Sequence, residues 1–261
     1  MAARLDRARS EDKPTMPNPT AAMLTIGDEI LAGRTRDANM PHLACALAER
    51  GIALREARVV ADDAAEIAAA VNALRARYTH VFTSGGIGPT HDDITADSVA
   101  AAFGVKIGVR EDARAILATH YANPEVDLNA ARLRMARIPE GATLIDNPVS
   151  KAPGFSLGNV HVMAGVPSVF AAMVEGLLPR LTGGAPLLSA TVRAGLPEGE
   201  LAAALADLAA AFPDVGIGCY PFNFGDRPGA NLVARSADPE RLASAAAALE
   251  ALVADLEAGR G

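Results

Sequence analysis

Cysteine is scarce in this chain of 261 residues. Cys45 and Cys219 stand far apart, in no CxxC or Cys/His spacing, which excludes a disulfide framework and a cysteine-based zinc site. Cys45 falls on the apolar side of an expected helix and reads as a small core residue. The five histidines, His42, His80, His91, His120 and His161, lack metal-ligand spacing with one another, so a zinc enzyme is not expected. Positive charge is short as well. With 24 Lys and Arg against 31 Asp and Glu the net charge is −7, and no bulk attraction to nucleic acid is expected. No apolar run approaches the roughly 20 residues needed to cross a bilayer. Residues 1–20 mix Arg, Asp, Glu, Lys and Pro without the apolar centre of a signal peptide, and read as a flexible tail. A cytoplasmic protein without membrane contact is the expectation. There is no Gly-x-Ser-x-Gly elbow, and the glycines at 85, 86 and 88 do not have dinucleotide-fingerprint spacing.

What the chain does have is alternation of two periods. Residues 22–26 form a short apolar run ending at Gly27, as a strand buried on both faces would. Met40, Leu43, Ala44 and Leu47 recur at helical spacing, with Gly51 as the stop. Residues 55–60 read as a strand, and Ile67, Ala70, Val71, Leu74 and Tyr78 as a helical stripe begun by Asp62-Asp63 at the N-cap. Residues 80–84 make a third strand. Helices are expected at 111–122 and 129–137, short strands around Pro153-Gly154, a strand over 159–163, and a helix stripe at Phe170, Met173, Val174, Leu177 and Leu178. This order predicts an α/β fold, a three-layer and mostly parallel sheet covered by helices, over residues 21–181. Thr182-Gly183-Gly184-Ala185-Pro186 reads as a linker. Residues 186–261 then predict a smaller α+β module with the order β-α-β-β-α. Within it Tyr220, Phe222 and Phe224 suggest a base-stacking platform, but Pro221, Gly225 and Pro228 around them favour an aromatic-stabilised turn.

The most informative stretch runs from Val81 to Thr95, VFTSGGIGPTHDDIT. A buried strand ending at Ser84 enters a turn made by Gly85, Gly86, Gly88, Pro89 and Thr90, and then a helix start at Thr95 preceded by Asp92 and Asp93. Glycines let a bulky anion approach main-chain N–H groups, and the coming helix adds partial positive charge. Asp92 and Asp93 add carboxylates able to hold a divalent metal, Mg2+ being the expected ion, against a phosphate. An ordinary glycine turn with an Asp N-cap is the bland alternative. In a parallel sheet Asp28-Glu29 would follow another strand's carboxyl end, so both acidic clusters would share the edge where ligands of open α/β sheets bind.

The run TSGGIGPTHDDIT resembles the signature of the molybdopterin-binding fold family, whose branches include molybdenum-cofactor biosynthesis proteins, competence/damage-inducible protein A, and the amino-terminal domain of eukaryotic FAD synthase. The resemblance continues in Gly27–Gly33 (GDEILAG), in Asp37-Ala38-Asn39, in Asn147–Phe155 (NPVSKAPGF) and in Gly165-Val166-Pro167, covering roughly residues 21–181. Ser150-Lys151 stands where the competence/damage-inducible branch carries Gly-Thr, and Ser168-Val169 departs from its Pro-x-Glu. The Ser-Lys version is closer to the FAD synthase branch. The C-terminal module resembles the one that follows the binding domain in the competence/damage-inducible family. The resemblance does not extend to an appended deamidase domain or a synthase half, so nicotinamide-nucleotide deamidation and FAD synthesis are not expected of these residues.

The resemblance implies a small phosphorylated ligand, contacted by Ser84, Gly85, Gly86, Gly88, Pro89, Thr90, Thr95, Glu29, Asn39, Asn147, Gly154, Gly165 and Pro167, in a homo-oligomer. Three functions stay open. In the first, a pyrophosphate such as that of ADP-ribose or FAD is hydrolysed: Asp92 and Asp93 hold the metal, Lys151 stabilises developing charge, and Asp28 or Glu29 orients water. In the second, the ligand is molybdopterin, bound and adenylylated, with Asp93 as the working aspartate. In the third, the chain binds without chemistry.

Overall fold

The structure, a computed structural model, describes residues 18–224 and 227–259. Most of the expected tail lies outside the described residues. Residues 18–20 are not tail: Asn18 exchanges hydrogen bonds with Ala185, from Nδ2 to the carbonyl at 2.8 Å and from the Ala185 amide to Oδ1 at 3.1 Å, and Thr20 opens the first strand.

The chain runs β1 (Thr20–Ile26), α1 (Asn39–Glu49), β2 (Ala53–Val60), α2 (Ala64–Arg75), β3 (His80–Ser84), α3 (Thr95–Phe103), β4 (Ile107–Val109) and α4 (Glu111–Ala118). It continues through β5 (Arg137–Pro139), β6 (Thr143–Ile145), β7 (Gly154–Leu157), β8 (Val160–Met163) and α5 (Pro167–Leu177). Six strands form one sheet in the order β2-β1-β3-β8-β7-β6, parallel from β2 to β8 and antiparallel across β7. β1 and β3 lie inside it and are buried on both faces, so neither shows the inside-outside alternation of burial that β2 has at the edge. Asp63 caps α2, accepting from the amides of Ala65 and Glu66, while Asp62 is left free for another role.

Two core layers sandwich the sheet. Leu43 and Leu47 of α1 and Phe170 and Met173 of α5 pack on Met23 and Phe82. Ile67 and Leu74 of α2, Val99 of α3 and Leu117 of α4 pack with Leu24 and Val81 on the other side. The connection leaving β1 therefore crosses one face and that leaving β3 the other, so their adjacent carboxyl ends form a topological switch point, where such sheets bind ligands.

Three sequence expectations need correction here. Cys45 is exposed, because two residues along a helix from Leu43 and two before Leu47 places it on the side away from the sheet. The helix expected over 129–137 is only a turn at Ala130–Leu133 and a 3-10 turn at Arg134–Ala136. Pro139 keeps the preceding residue extended, and β5 pairs with the unforeseen β4. The helix expected over 111–122 stops at Ala118.

The remaining elements are β9 (Leu188–Ala194), α6 (Glu198–Ala211), β10 (Gly216–Phe224), β11 (Arg227–Ser236) and α7 (Pro239–Ala258). They form an antiparallel sheet in the order β10-β11-β9, with its own core of Leu201, Leu205, Leu232, Ala234, Leu249 and Val253. Tyr220 and Phe222 sit in β10, not in a turn; Pro221 is tolerated because β10 is an edge strand.

Candidate functional site

The glycine turn is fixed by its own backbone. Gly85 has φ +108°, and a Cβ there would run into the Ile26 carbonyl; Gly86 has φ +66°, and a Cβ there would run into the Thr95 side chain. Only glycine satisfies both conditions. Thr95 is fully buried and clamps the bend: Oγ1 donates to the Gly85 carbonyl and its amide to the Gly86 carbonyl, each at 3.0 Å. Across β8, a Cβ on Gly165 would lie 3.2 Å from the Gly85 Cα, so the two strand ends are in contact.

The bend borders a cavity of about 560 Å³ at the carboxyl ends of the parallel strands. Glu29 enters it after β1, Asp62 after β2, Gly85, Gly86, Gly88, Asp92 and Asp93 after β3, and Gly165 and Pro167 after β8. Asn147, Ser150 and Ala152 close another side. A recess of about 60 Å³ beside it is lined by Asn39, Ser84 and again Glu29. Asn39 is buried, and its amide nitrogen donates to Ser84 Oγ at 2.8 Å and to the Gly165 carbonyl at 2.7 Å.

Other expected contacts act from behind. Thr90 donates to Asp93 Oδ2 from its amide at 2.8 Å and from its hydroxyl, which aims the aspartate, but Thr90 and Pro89 do not line the cavity. Thr95 shapes the bend and Gly154 lets β7 pass the Val162 carbonyl. Asp28 is exposed and lies outside the cavity; its amide donates to Asp62 Oδ2 at 3.0 Å. Lys151 is not among the lining residues either, although its neighbours Ser150 and Ala152 are.

Asp62 was read as a helix cap and is in fact a wall of the cavity. Burial pushes its carboxyl above the usual range, and the charges of Asp28, Glu29 and Asp92 add to the rise, against the hydrogen bond from the Asp28 amide. Its position directly after a parallel strand was the available signal. Arg134 and Met135, in the segment expected to be helix, were also missed: both line a small recess shared with Asp93, and Arg134 Nη2 donates to the Asp93 carbonyl at 3.0 Å.

Glu29, Asp62, Asp92 and Asp93 are hard oxygen donors, which suit Mg2+ and not a thiophilic ion. Among the described residues no group of three or more His, Cys, Asp and Glu is placed to hold an ion alone.

The architecture and this cavity define a class, and the comparisons give the family. Residues 22–183 match the family model described as "Probable molybdopterin binding domain", and residues 186–258 the one described as "FAD synthase, middle domain". The chain belongs to the molybdopterin-binding-domain family, with similarity to its CinA-like members. It is 36% identical over 209 residues to a CinA-like protein of Desulfosudis oleivorans, covering 76% of this chain and 51% of that one. Identity to a protein of Pyrobaculum calidifontis is 33%, over 78% of this chain and 81% of the other. Identity to a "Probable FAD synthase" of Caenorhabditis elegans is 34%, over 80% and 45%. The chain thus spans about half the length of two of these relatives. A crystal structure of CinA from Thermoplasma acidophilum, titled as of unknown function, is 34% identical with a TM-score of 0.59 over 63% of this chain and 99% of that one. No helix among the described residues is long and apolar enough to cross a membrane.

Proposed function

We propose that the cavity binds a phosphorylated, ring-bearing ligand of the nucleotide type and hydrolyses a pyrophosphate of the ADP-ribose or FAD kind. The observation that carries this reading is the meeting in one cavity of the glycine bend after β3 with Glu29, Asp62, Asp92 and Asp93. Backbone amides at such a bend and helix start bind phosphate oxygens, whereas four carboxylates would repel a naked polyanion. A divalent cation would reconcile the two: Asp92 and Asp93 would hold it, and it would supply charge neutralisation to the phosphates.

The chain's own groups would then act as follows. The amides of Gly86, Ile87 and Gly88 orient the phosphate, that of Gly85 being taken by the Met163 carbonyl at 3.2 Å. Asp62, whose proton affinity is raised, accepts a proton from water as the water oxygen bonds to phosphorus and the bridging P–O bond breaks. Glu29, on the same wall, orients that water. Thr90 and Arg134 hold Asp93 in place through its carboxylate and its carbonyl.

Incubation with ADP-ribose or FAD and Mg2+ should release AMP, and Asp93→Asn should abolish release while leaving the circular dichroism spectrum unchanged. No release with any divalent ion would remove the hydrolytic reading. The family model that matches residues 22–183 favours a second reading, a molybdopterin ligand. Tight binding of molybdopterin without AMP release from the nucleotides would support it.

A further inference from the structure

Among the described residues, the three-stranded sheet of the C-terminal module is covered by helices on one face only. Ala190, Val192 and Ala194 of β9, Ala230, Leu232 and Ala234 of β11, and Ile217 and Cys219 of β10 point into the core beneath α6 and α7. The alternate residues of the same strands face away from it. In that outward set, registered across the sheet, stand Arg193 opposite Asn231 and Asn231 opposite Tyr220.

Two arginine–aromatic pairs are built on this face. The Arg235 guanidinium lies 5.5 Å from the Tyr220 ring centre and donates to the Tyr220 hydroxyl at 3.0 Å. The Arg193 guanidinium lies 4.4 Å from the Phe222 ring centre. Glycines give the rings a floor: a Cβ on Gly218 would meet the Tyr220 ring at 3.0 Å and one on Gly229 the Phe222 ring at 2.6 Å. The rings are therefore laid along the sheet. Tyr220 is 47% exposed. Neither Arg193 nor Arg235 has a carboxylate partner among the described residues, and the outward positions described on this face include no carboxylate.

We infer that this open face binds single-stranded nucleic acid. Bases stack on flat aromatic rings and on guanidinium planes, and the charge of arginines without a carboxylate partner among the described residues answers the backbone phosphates. Small ligands favour concave pockets, whereas a strand of nucleotides suits a level surface. The local field decides the contact: the net charge of −7 resides on the chain as a whole, while this patch is cationic. Binding is accordingly weak and strongly salt-dependent.

The test is fluorescence polarisation with a labelled oligothymidylate of about twelve nucleotides at about 50 mM salt, with oligomeric state followed by sedimentation in the same buffer. The full chain should bind, and Tyr220→Ala and Phe222→Ala should each weaken binding about tenfold. Arg193→Gln with Arg235→Gln, which leaves the rings in place, should do the same and flatten the salt dependence. Asp93→Asn should bind like the unchanged chain, which separates this surface from the cavity. No binding at low salt would overturn the inference. So would equal binding by the arginine variant, or a face whose substitutions change self-association and leave the oligonucleotide unaffected.

Discussion

The side-chain amide of Asn39 donates to the carbonyl of Gly165 at 2.7 Å, joining the start of α1 to the loop after β8 across 126 positions of sequence. The same nitrogen donates to Ser84 at the end of β3, so both its protons are used. One buried amide thus ties the connections leaving two adjacent parallel strands. Asn39→Ala should lower stability by about 2 kcal/mol, the range for removing a partner from buried polar groups, read as a lower denaturant midpoint. If the glycine bend depends on this tie, the variant should also bind phosphate ligands more weakly. Unchanged stability would show that the two acceptors find other donors.

Lys151 has φ +60°, the left-handed region in which non-glycine residues are uncommon. Its amide donates to the Asn147 carbonyl, and Asn147, nearly fully buried, donates to Ser150 Oγ and the Ala152 carbonyl, so the loop imposes the conformation. Lys151→Gly should leave thermal stability equal or raise it by up to about 1 kcal/mol, since the left-handed conformation costs an L-residue roughly that much. If AMP release falls in a Lys151→Gly protein of undiminished stability, the ammonium acts on the ligand despite lying off the cavity wall. Undiminished release would leave Lys151 a loop residue.

Asp62 tests the wall itself. Its pKa is raised in the folded protein by burial and by neighbouring carboxylates, so the folded state binds its proton more tightly than the unfolded state. Its contribution to stability falls as pH rises from the unfolded pKa through the folded one, and at neutral pH the ionised carboxylate is a burden. Asp62→Asn keeps an acceptor for the Asp28 amide and removes the charge. At pH 7 it should be as stable as the unchanged chain or more so, while losing AMP release. A loss of stability would mean that the carboxylate is structurally required.

The parallel strands and their helices were legible because each carries its own local signal. β1 and β3 are buried runs, Asp63 is an N-cap, and Gly85-Gly86 mark a bend no other residue can make. Asp92 and Asp93 were legible beside that bend. Asp62 was not, because Asp62 and Asp63 are equivalent in sequence as caps; only the fold assigns the cap to Asp63 and turns Asp62 into the cavity. The segment around Arg134 was hidden for another reason. Its apolar spacing suits a helix, and pairing of β5 with the distant β4 overrides it. Tyr220 and Phe222 misled through Pro221, which marks turns in general but here lies in an edge strand, and through Gly225, which lies outside the described residues.

At the opposite end of the sheet from the cavity, His161 is nearly buried between β3 and β7. Its Nε2 lies 3.3 Å from His80 Nδ1 and its Nδ1 2.8 Å from Ser156 Oγ. Burial depresses its pKa from 6.5 to about 3, with His80 and Arg180 adding repulsion, and burial also lowers that of His80. Between about 3 and 6.5 the unfolded chain takes up a proton at position 161 that the folded chain refuses. Stability is therefore fully present above pH 6.5 and falls as pH drops through that window. One such histidine gives a slope approaching 1.4 kcal/mol per pH unit, and part of the window lies above the range in which carboxylates titrate. Chemical denaturation at pH 7, 6 and 5 should show this decline in the unchanged chain. His161→Gln, which keeps hydrogen-bonding capacity for His80 and Ser156 without a basic nitrogen, should be less steep over the same interval. Equal slopes in the two proteins would mean that His161 is protonated in the folded state, which the burial of its ring opposes.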